Sequence, residues 1–379
     1  MNSLFTEEQL LLQAAAREFA EKELQPRAAR IDQEAVFPEE AMKMLAELEM
    51  TGIPYPQEYG GGGADMISYA LILEELAKQC EATALTLSSH TMAAAPILTF
   101  GAKEQITRFV PALNSLRKIG AFALTEAGAG SDAGGIVTSA VLDGDDYVIN
   151  GTKIFITNGD KCDIVLLFAR TDPASKGNKG LSAFIVEKKV SDFEVGKHED
   201  KMGIRGSHTT ELIFRNCRVP KENLLGKPGE GLKIALTTLV GGRIAIAAQA
   251  VGVAQACLDE SINYAKERHQ FGRPLASNQA IQWMIADMAK DVAAARLLTH
   301  HAAKLFDLGE PCGTQASIAK LFASEAAMNH AIKAVQIHGG YGYVRGTKVE
   351  RLFRDVKVME IFEGTSEVHR MIISGSLIK

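Results

Sequence analysis

The 379-residue chain has only five cysteines, Cys80, Cys162, Cys217, Cys257 and Cys312, and no two of them form a C-x-x-C pair. An odd, unpatterned set excludes a disulfide framework and leads us to expect reduced thiols in a cytoplasmic protein. Nine histidines supply no metal-ligand spacing; His300 and His301 are adjacent and so point to different faces of a helix. No metal centre is expected. A net charge of −5 lacks the basic excess that a nucleic-acid surface needs. Long apolar runs are missing too. The longest weakly polar stretch, Ile244 to Leu258, contains two glutamines and falls short of a bilayer span. The opening MNSLFTEEQLLLQ has no cationic start ahead of an apolar stretch, so neither a secretory signal nor a membrane partner is expected.

What is present reads as three segments. Thr6 and Gln9 have capping-box spacing, and Leu10, Leu11, Ala14, Ala15 and Phe19 recur with a helical period. Pro38 opens a second helix, the YGGGGAD loop precedes a third over Ile67–Cys80, and Pro96 and Pro111 mark further helix starts or breaks. From about residue 120 the texture changes. DDYVINGTKIFITNG, CDIVLLFARTD, LSAFIVEKK and TELIFRNCRV are short runs rich in Val, Ile, Phe and Thr, and they imply an antiparallel β domain. After VPKENLLGKPGEG, long helices are expected over Gly231–Arg268, Ser277–Leu308 and Thr314–His338, with Thr314 as N-cap and Gly339 as the stop. Such helices with short connections suggest a bundle. The expected fold is therefore multi-domain α+β, with an all-α domain (1–119), a central antiparallel β domain (120–228) and a C-terminal four-helix bundle (229–379).

LTEAGAGSDAGG (124–135) imitates a dinucleotide fingerprint, with Gly128, Gly130 and Ala133 in the required places. A Rossmann turn must run straight into a helix whose N-terminus faces the pyrophosphate. Here the glycines lead into Ile136-Val137-Thr138 and more β texture, and no α/β alternation exists in the chain. The fingerprint is a false match, and a nicotinamide dehydrogenase falls back for want of any α/β unit. A glycine-rich loop with open N–H groups and hydroxyls at Thr125 and Ser131 remains, suited either to a phosphate or flavin edge or to a plain surface turn.

Three further stretches are suited to chemistry, though each also reads as plain structure: an edge strand, a glycine C-cap and a solvated helix-end glutamate. In KIFITNG (153–159), Phe155 and Thr157 are two apart and would share one face of a strand, as the edge and face of a flat ring require. QIHGG (336–340) closes a long helix with two glycines. In IFEGTSEVH (361–369), Glu363 sits between an aromatic and a glycine at a break between helical runs, where Thr365 or Ser366 can cap the next helix. Apolar flanks raise a carboxylate's pKa and make it a stronger base.

Together with EDKMGIRGS (199–207) and ERHQFGRPL (267–275), these stretches occur in the order and spacing of the acyl-CoA dehydrogenase family, and the chain resembles its short-chain, butyryl-CoA dehydrogenase-like branch over nearly its whole length. The resemblance implies non-covalent FAD and a homotetramer, a dimer of dimers. Phe122, Leu124, Thr125, Gly130 and Ser131 would line the flavin and its pyrophosphate, with Phe155, Ile156 and Thr157 packed on the ring. Arg268, Phe271, Gln279, Gln336, Ile337, His338, Gly339 and Gly340 would reach FAD across a subunit boundary. Thr365, Ser366 and Glu367 would touch it from the restarting helix. Ser131, Asn178, Arg243 and Gly364 match substrate-contacting positions, and Glu363 matches the catalytic base. Two departures stand out: Phe362 replaces the usual Tyr, and Val240 replaces an Asp common in the family.

The implied reaction is α,β-dehydrogenation of an acyl-CoA to a trans-2-enoyl-CoA. Glu363 takes the α-proton, flavin N5 takes the β-hydride, and electrons pass to an electron-transferring flavoprotein. An enoyl-CoA reductase, an oxidase and a non-catalytic scaffold remain alternatives on the same fold. The stretch Ala84–Ile97 holds no Arg or Lys, which argues against a dicarboxylyl substrate. Its Ser88, Ser89, His90 and Thr91 suggest a pocket too polar for a long alkyl chain, hence short or branched acyl groups.

Overall fold

Thr6 starts the first helix as its spacing to Gln9 predicts. In the computed structural model, which describes residues 5–175 and 179–378, the Gln9 N–H donates to the Thr6 hydroxyl at 3.2 Å and the Thr6 N–H donates to the Gln9 side chain at 2.9 Å. The reciprocal pair satisfies two donors that a helix start leaves bare. Helix α1 (Glu7–Phe19) passes through one π-helical turn into α2 (Gln25–Gln33); α3 (Glu39–Glu47), α4 (Met66–Gln79), α5 (Glu81–Phe100) and α6 (Lys103–Asn114) complete the first segment. Pro96 and Pro111 correct the sequence expectation, because both lie inside helices, α5 and α6. Pro96 is buried, and the packing of α5 against neighbouring helices and the sheet outweighs the roughly 3 kcal/mol that an interior proline costs.

The central segment is one sheet built from β1 (Gly120–Ala123), β2 (Ser139–Asp143), β3 (Asp146–Thr157), β4 (Ile164–Arg170), β5 (Leu181–Glu187), β6 (Glu194–His198), β7 (Thr209–Pro220) and β8 (Leu224–Leu225). A one-turn helix, α7 (Lys188–Ser191), separates β5 from β6. The order is β6-β7-β3-β2-β4-β5-β8, with β1 alongside β4. Most pairings are antiparallel as expected, but β1 runs parallel to β4 and β2 meets β4 in parallel at Ser139 and Arg170. Parallel neighbours need a long connection, and the forty-odd residues between β1 and β4 supply one. Strand β4 is buried on both faces except at Arg170, which explains its unbroken apolar run.

The last segment contains α8 (Gly231–Glu267), a short hairpin of β9 (His269–Gln270) and β10 (Arg273–Pro274), α9 (Gln279–Asp307), α10 (Gly313–His338), α11 (Lys348–Val356) and α12 (Ser366–Leu377). Helix α10 begins one residue before the expected cap: Cys312, not Thr314, holds the N-cap position. Gly339 does end it, with φ of +58°. Helices α8, α9 and α10 pack on one another and α12 lies on α10, completing the four-helix bundle. Helix α8 is long and apolar enough to cross a membrane by length and composition, yet 67% of its most apolar window is buried inside the protein. At Gly252 a β-carbon would collide with the Glu74 carbonyl, so only glycine lets α4 approach this closely. On α10, Ala316, Ala319, Ala323, Ala327, Ala331 and Ala334 form a buried stripe at three- and four-residue spacing.

Buried ion pairs fasten the segments together. Arg296 on α9 grips Glu74 on α4, with Nη2 2.6 Å from Oε1. Arg354 on α11 donates to both oxygens of Asp32 on α2, at 2.8 and 2.6 Å. Asp160, His198 and His208 bring ligand-type atoms within 4.8 Å of one another, a grouping that residue spacing did not reveal. His208 Nδ1 lies 2.7 Å from Asp160 Oδ2 and its Nε2 lies 3.2 Å from the Ala35 carbonyl. The charges of Lys161 and Lys201 also bear on Asp160. We read the grouping as a clasp between the first segment and the sheet.

Candidate active site

Glu363 occupies the turn between a 3-10 stretch (Lys357–Glu360) and α12. Its φ is +54° and that of Gly364 is +99°. Two successive left-handed residues reverse the chain, and a non-glycine residue there is uncommon enough to suggest a functional constraint. Thr365 then caps α12, its hydroxyl accepting the Val368 N–H at 3.3 Å. The turn carries the carboxylate inward. Glu363 Oε2 is fully buried and has no hydrogen-bond partner among the described residues.

Burial pushes the Glu363 carboxyl up to about 7, while the nearby charges of Arg243 on α8 and Lys320 on α10 pull it the other way. Arg243 is itself buried and, among the described residues, its Nε lacks a partner; Ser366 Oγ and both ring nitrogens of His369 are likewise buried and unpartnered there. His369 is drawn down to about 3, first by burial and then by the two cations, so its ring is neutral. Gly242 on α8 completes the enclosure: a β-carbon there would stand 2.7 Å from Glu363 Oε2 and 3.2 Å from Met92 Sδ. Arg243 and Lys320 thus act on the carboxylate while His369 packs against the Gly364 turn, and these groups gather in one enclosed place. Such groups are costly to leave unpaired unless a ligand meets them.

The glycine loop is pinned at its base and open at its tip. The Glu126 carboxylate accepts the Val137 and Thr138 N–H groups at 2.7 and 3.0 Å and the Lys153 ammonium at 2.7 Å. Lys153 also donates to the Leu124 carbonyl at 2.9 Å, and the Ile154 N–H donates to Thr125 O at 3.0 Å. Arg170 donates to the Gly134 and Ile136 carbonyls. At Gly128 and Gly130, by contrast, a β-carbon would meet nothing within 4 Å, and Ser131 is exposed. The structure therefore ties Leu124 and Thr125 to Lys153 and Ile154 near the end of β3, just before Phe155 to Thr157, while Gly130 and Ser131 stand at the open tip. Phe122 lies partly exposed and tilted against Phe168, with Leu124 buried below the loop. One detail of the sequence reading needs correction. A bulge interrupts β3 between Lys153 and Ile156, and Phe155 has φ of +56°, so strict alternation cannot be used to place Phe155 and Thr157 on one face. Phe155 is 59% exposed, Ile156 is buried and Thr157 is partly buried.

A second constellation gathers at one end of the bundle. Arg268 sits over the Tyr341 ring at 5.7 Å, and Tyr264 stacks on His338 at 4.2 Å. Gln336, Gly339 and Gly340 are exposed, Ile337 is buried, and Phe271 projects fully exposed from the β9–β10 hairpin ahead of the exposed Gln279. Ser366 is buried at the start of α12 and Glu367 exposed beside it. Asn178 lies outside the described residues.

The argument from pocket polarity does not survive. His90 Nε2 faces the Leu113 carbonyl and its Nδ1 accepts the Gly120 N–H, each at 3.0 Å, so the ring joins α6 and β1. Ser88 and Thr91 bond backbone carbonyls of their own helix. Ser88, His90 and Thr91 are spent on structure; Met92, like Glu363, borders the space at Gly242, its Sδ 3.2 Å from where a β-carbon would stand. Phe362 packs against the helical core, as its apolar character suggested, and Val240 is also partly buried there.

Sequence reasoning missed Lys320, His369 and the Glu126–Lys153 pair. Glu126 and Lys153 each stand inside a quoted stretch and offer opposite charges within β texture, a signal that could have been used. Lys320 belongs to no such stretch.

Family models of the acyl-CoA dehydrogenase N-terminal, middle and C-terminal domains match residues 6–117, 121–217 and 229–378. The chain is 49% identical over 381 residues to acryloyl-CoA reductase (NADH) of Anaerotignum propionicum, covering all of this chain and 96% of that protein. Its fold superposes with a TM-score of 0.97 on butyryl-CoA dehydrogenase of Megasphaera elsdenii, at 44% identity over 99% of both chains. The same score, at 47% identity and 99% coverage of both, relates it to a chain from structural work on the electron transferring flavoprotein of Acidaminococcus fermentans and flavin-based electron bifurcation.

Proposed function

The chain belongs to the acyl-CoA dehydrogenase family, and on that premise we propose that it dehydrogenates a short-chain acyl-CoA to the trans-2-enoyl-CoA with Glu363 as the base. The observation that carries this reading is the state of the Glu363 carboxylate. It is dry, unpartnered at Oε2, and held near neutrality between Arg243 and Lys320. A base whose pKa lies near the working pH combines a high ionised fraction with a strong pull on the proton. Accepting the α-proton also relieves the desolvation cost that burial places on the ionised carboxylate. Met92 and Phe362 help to keep water out, and the closed face of Gly242 leaves the carboxylate little room to swing away.

The residues present fit FAD. The open tip at Gly128 and Gly130, the Thr125 and Ser131 hydroxyls and the outward Phe155 offer N–H donors and ring contacts, and no described residue meets a β-carbon built at either glycine within 4 Å. Phe122 to Ser131 with Phe155 to Thr157 would hold the flavin from one subunit, joined by Thr365, Ser366 and Glu367. Arg268, Phe271, Gln279 and the Gln336–Gly340 turn would reach it from a neighbour. When bound, FAD supplies the acceptor for the β-hydrogen and its electron pair, and hands electrons to an electron-transferring flavoprotein. Ser131, Asn178, Arg243 and Gly364 are the residues we assign to the thioester side. The division of the flavin site over two chains supports a homotetramer, and five unpaired, buried thiols support a cytoplasmic enzyme.

The similarity to acryloyl-CoA reductase favours one second reading, the same chemistry run toward the saturated thioester. Anaerobic mixing of the flavin-loaded protein with butyryl-, isobutyryl-, octanoyl- and glutaryl-CoA tests the proposal. Short thioesters should bleach the flavin fastest. A flavin-loaded protein that none of them bleaches overturns the main reading, and reoxidation of reduced flavin by enoyl-CoA faster than by an electron-transferring flavoprotein favours the second.

A further inference from the structure

Lys320 is fully buried, and a buried lysine is expensive unless something uses its charge. Methionine or leucine would fill the same space more cheaply. Among the described residues its ammonium makes one hydrogen bond, donating to the Gly364 carbonyl at 2.7 Å. That carbonyl lies in the left-handed turn that carries Glu363, with φ values of +54° and +99° at consecutive residues. Thr365 ties the turn to α12 on one side. Lys320 ties it to α10 on the other.

We infer that Lys320 is a positioning residue for the base: it anchors the Gly364 carbonyl and sets a positive charge beside the Glu363 carboxylate, keeping that carboxylate ionised and aimed where water is absent. The inference rests on Glu363 being the base. The charged and titratable groups that bear on Lys320 are Arg243 from α8, Glu360 from the preceding turn, Glu325 on its own helix and Glu363 itself. His369 on α12 faces both cations and stays neutral. Burial draws the Lys320 ammonium down to about 8, so its charge is present through neutral pH and declines above it. Arg243 alone would then hold the carboxylate ionised. A lysine that only filled space would have no effect on that balance.

The test uses the flavin-loaded full-length protein with Lys320→Met, Lys320→Gln and, as a reference, Glu363→Gln. Flavin content and thioester affinity are measured first, then the rate of flavin bleaching against pH. Lys320→Met should lower kcat at least ~10-fold with KM within about threefold, and should move the acid limb of the pH profile upward by about one pH unit, as loss of a neighbouring opposite charge requires. If Lys320→Met fails to hold flavin, Lys320→Gln decides, since it keeps an N–H donor for the turn and removes only the charge; its acid limb should move the same way. An unmoved limb with a rate within twofold of wild type overturns the inference. Should Glu363→Gln bleach normally, the base assignment fails instead. An inactive Glu363→Gln beside an unaltered Lys320→Met overturns the role of Lys320 alone.

Discussion

Gly242 faces the Glu363 carboxylate so closely that a β-carbon would stand 2.7 Å from Oε2. Two bases cannot share this spot, and neither can a methyl group and one well-aimed base. Gly242→Ala should displace the carboxylate and slow turnover at least ~10-fold, because misplacing a reacting group by about 1 Å can cost as much as ~100-fold. The backbone loses nothing, since alanine is the better helix former by up to about 1 kcal/mol. Steady-state kinetics beside a thermal melt of the flavin-loaded variant would check this; full activity would mean that the carboxylate has room to move.

Glu363→Gln should abolish turnover while keeping flavin and thioester binding. The amide preserves shape but cannot accept the proton, and loss of a general base typically costs about 10²–10⁴-fold or more. Flavin content is measured first, then bleaching by the best thioester. A rate within tenfold of wild type would place the base elsewhere.

The same substitution should change stability with pH in a defined direction. The Glu363 carboxyl titrates at about 7 in the folded protein against an ordinary 4.5. Its burial as a neutral acid therefore stabilises the fold below about pH 4.5, and that contribution is lost as pH rises through 7. Glu363→Gln never ionises. The variant should match wild type near pH 4 and exceed it above pH 7 by at most about 3 kcal/mol. Melts at pH 5 and pH 8 suffice; a difference that stays flat or shrinks with pH contradicts the assignment.

Lys153→Met should be costly in two ways. It leaves Glu126 buried without its cation, which typically costs about 3–5 kcal/mol, and it frees the base of the glycine loop. The double variant Lys153→Met/Glu126→Gln removes the stranded charge but not the slack. Melting temperature should recover in the double variant while flavin retention through gel filtration stays low. Equal recovery of both would show that the loop does not depend on this pair.

Because the residues we assign to the flavin fall into two constellations, flavin retention should require assembly. Sedimentation of the flavin-loaded protein should give at least a dimer, with a tetramer expected, and dilution should release flavin as subunits separate. A flavin-replete monomer at low micromolar concentration would sink the idea.

The large divisions of the chain were legible because each is a change of local texture. Helical periodicity, β-rich runs and the IFEGTS turn all report on neighbours in sequence, and helix ends fell within about two residues of expectation. What escaped notice was mainly contact across distance. Lys320 meets Gly364 from 44 residues away, and Lys153 meets Glu126 across 27. His90 looked like a pocket lining and proved to be a strut, because only the fold shows which backbone groups stand opposite its two nitrogens. Pro96 and Pro111 were misjudged for a related reason. A breaker is weighed against local propensity in a sequence, whereas tertiary burial decides the outcome.

The alanines of α10 have a mechanical consequence. A methyl side chain has no rotamers, so nothing along that stripe can swing aside to absorb a change in spacing. Arg243 rides on α8 and Lys320 on α10, and both charges act on Glu363. The clearance between the two helices is therefore also a setting of the field at the carboxylate. Widening it with one larger spacer on that stripe, as in Ala323→Val, would retune that field. The helix pair works as a vice, and its jaw opening is fixed by the smallest side chain that still has a Cβ.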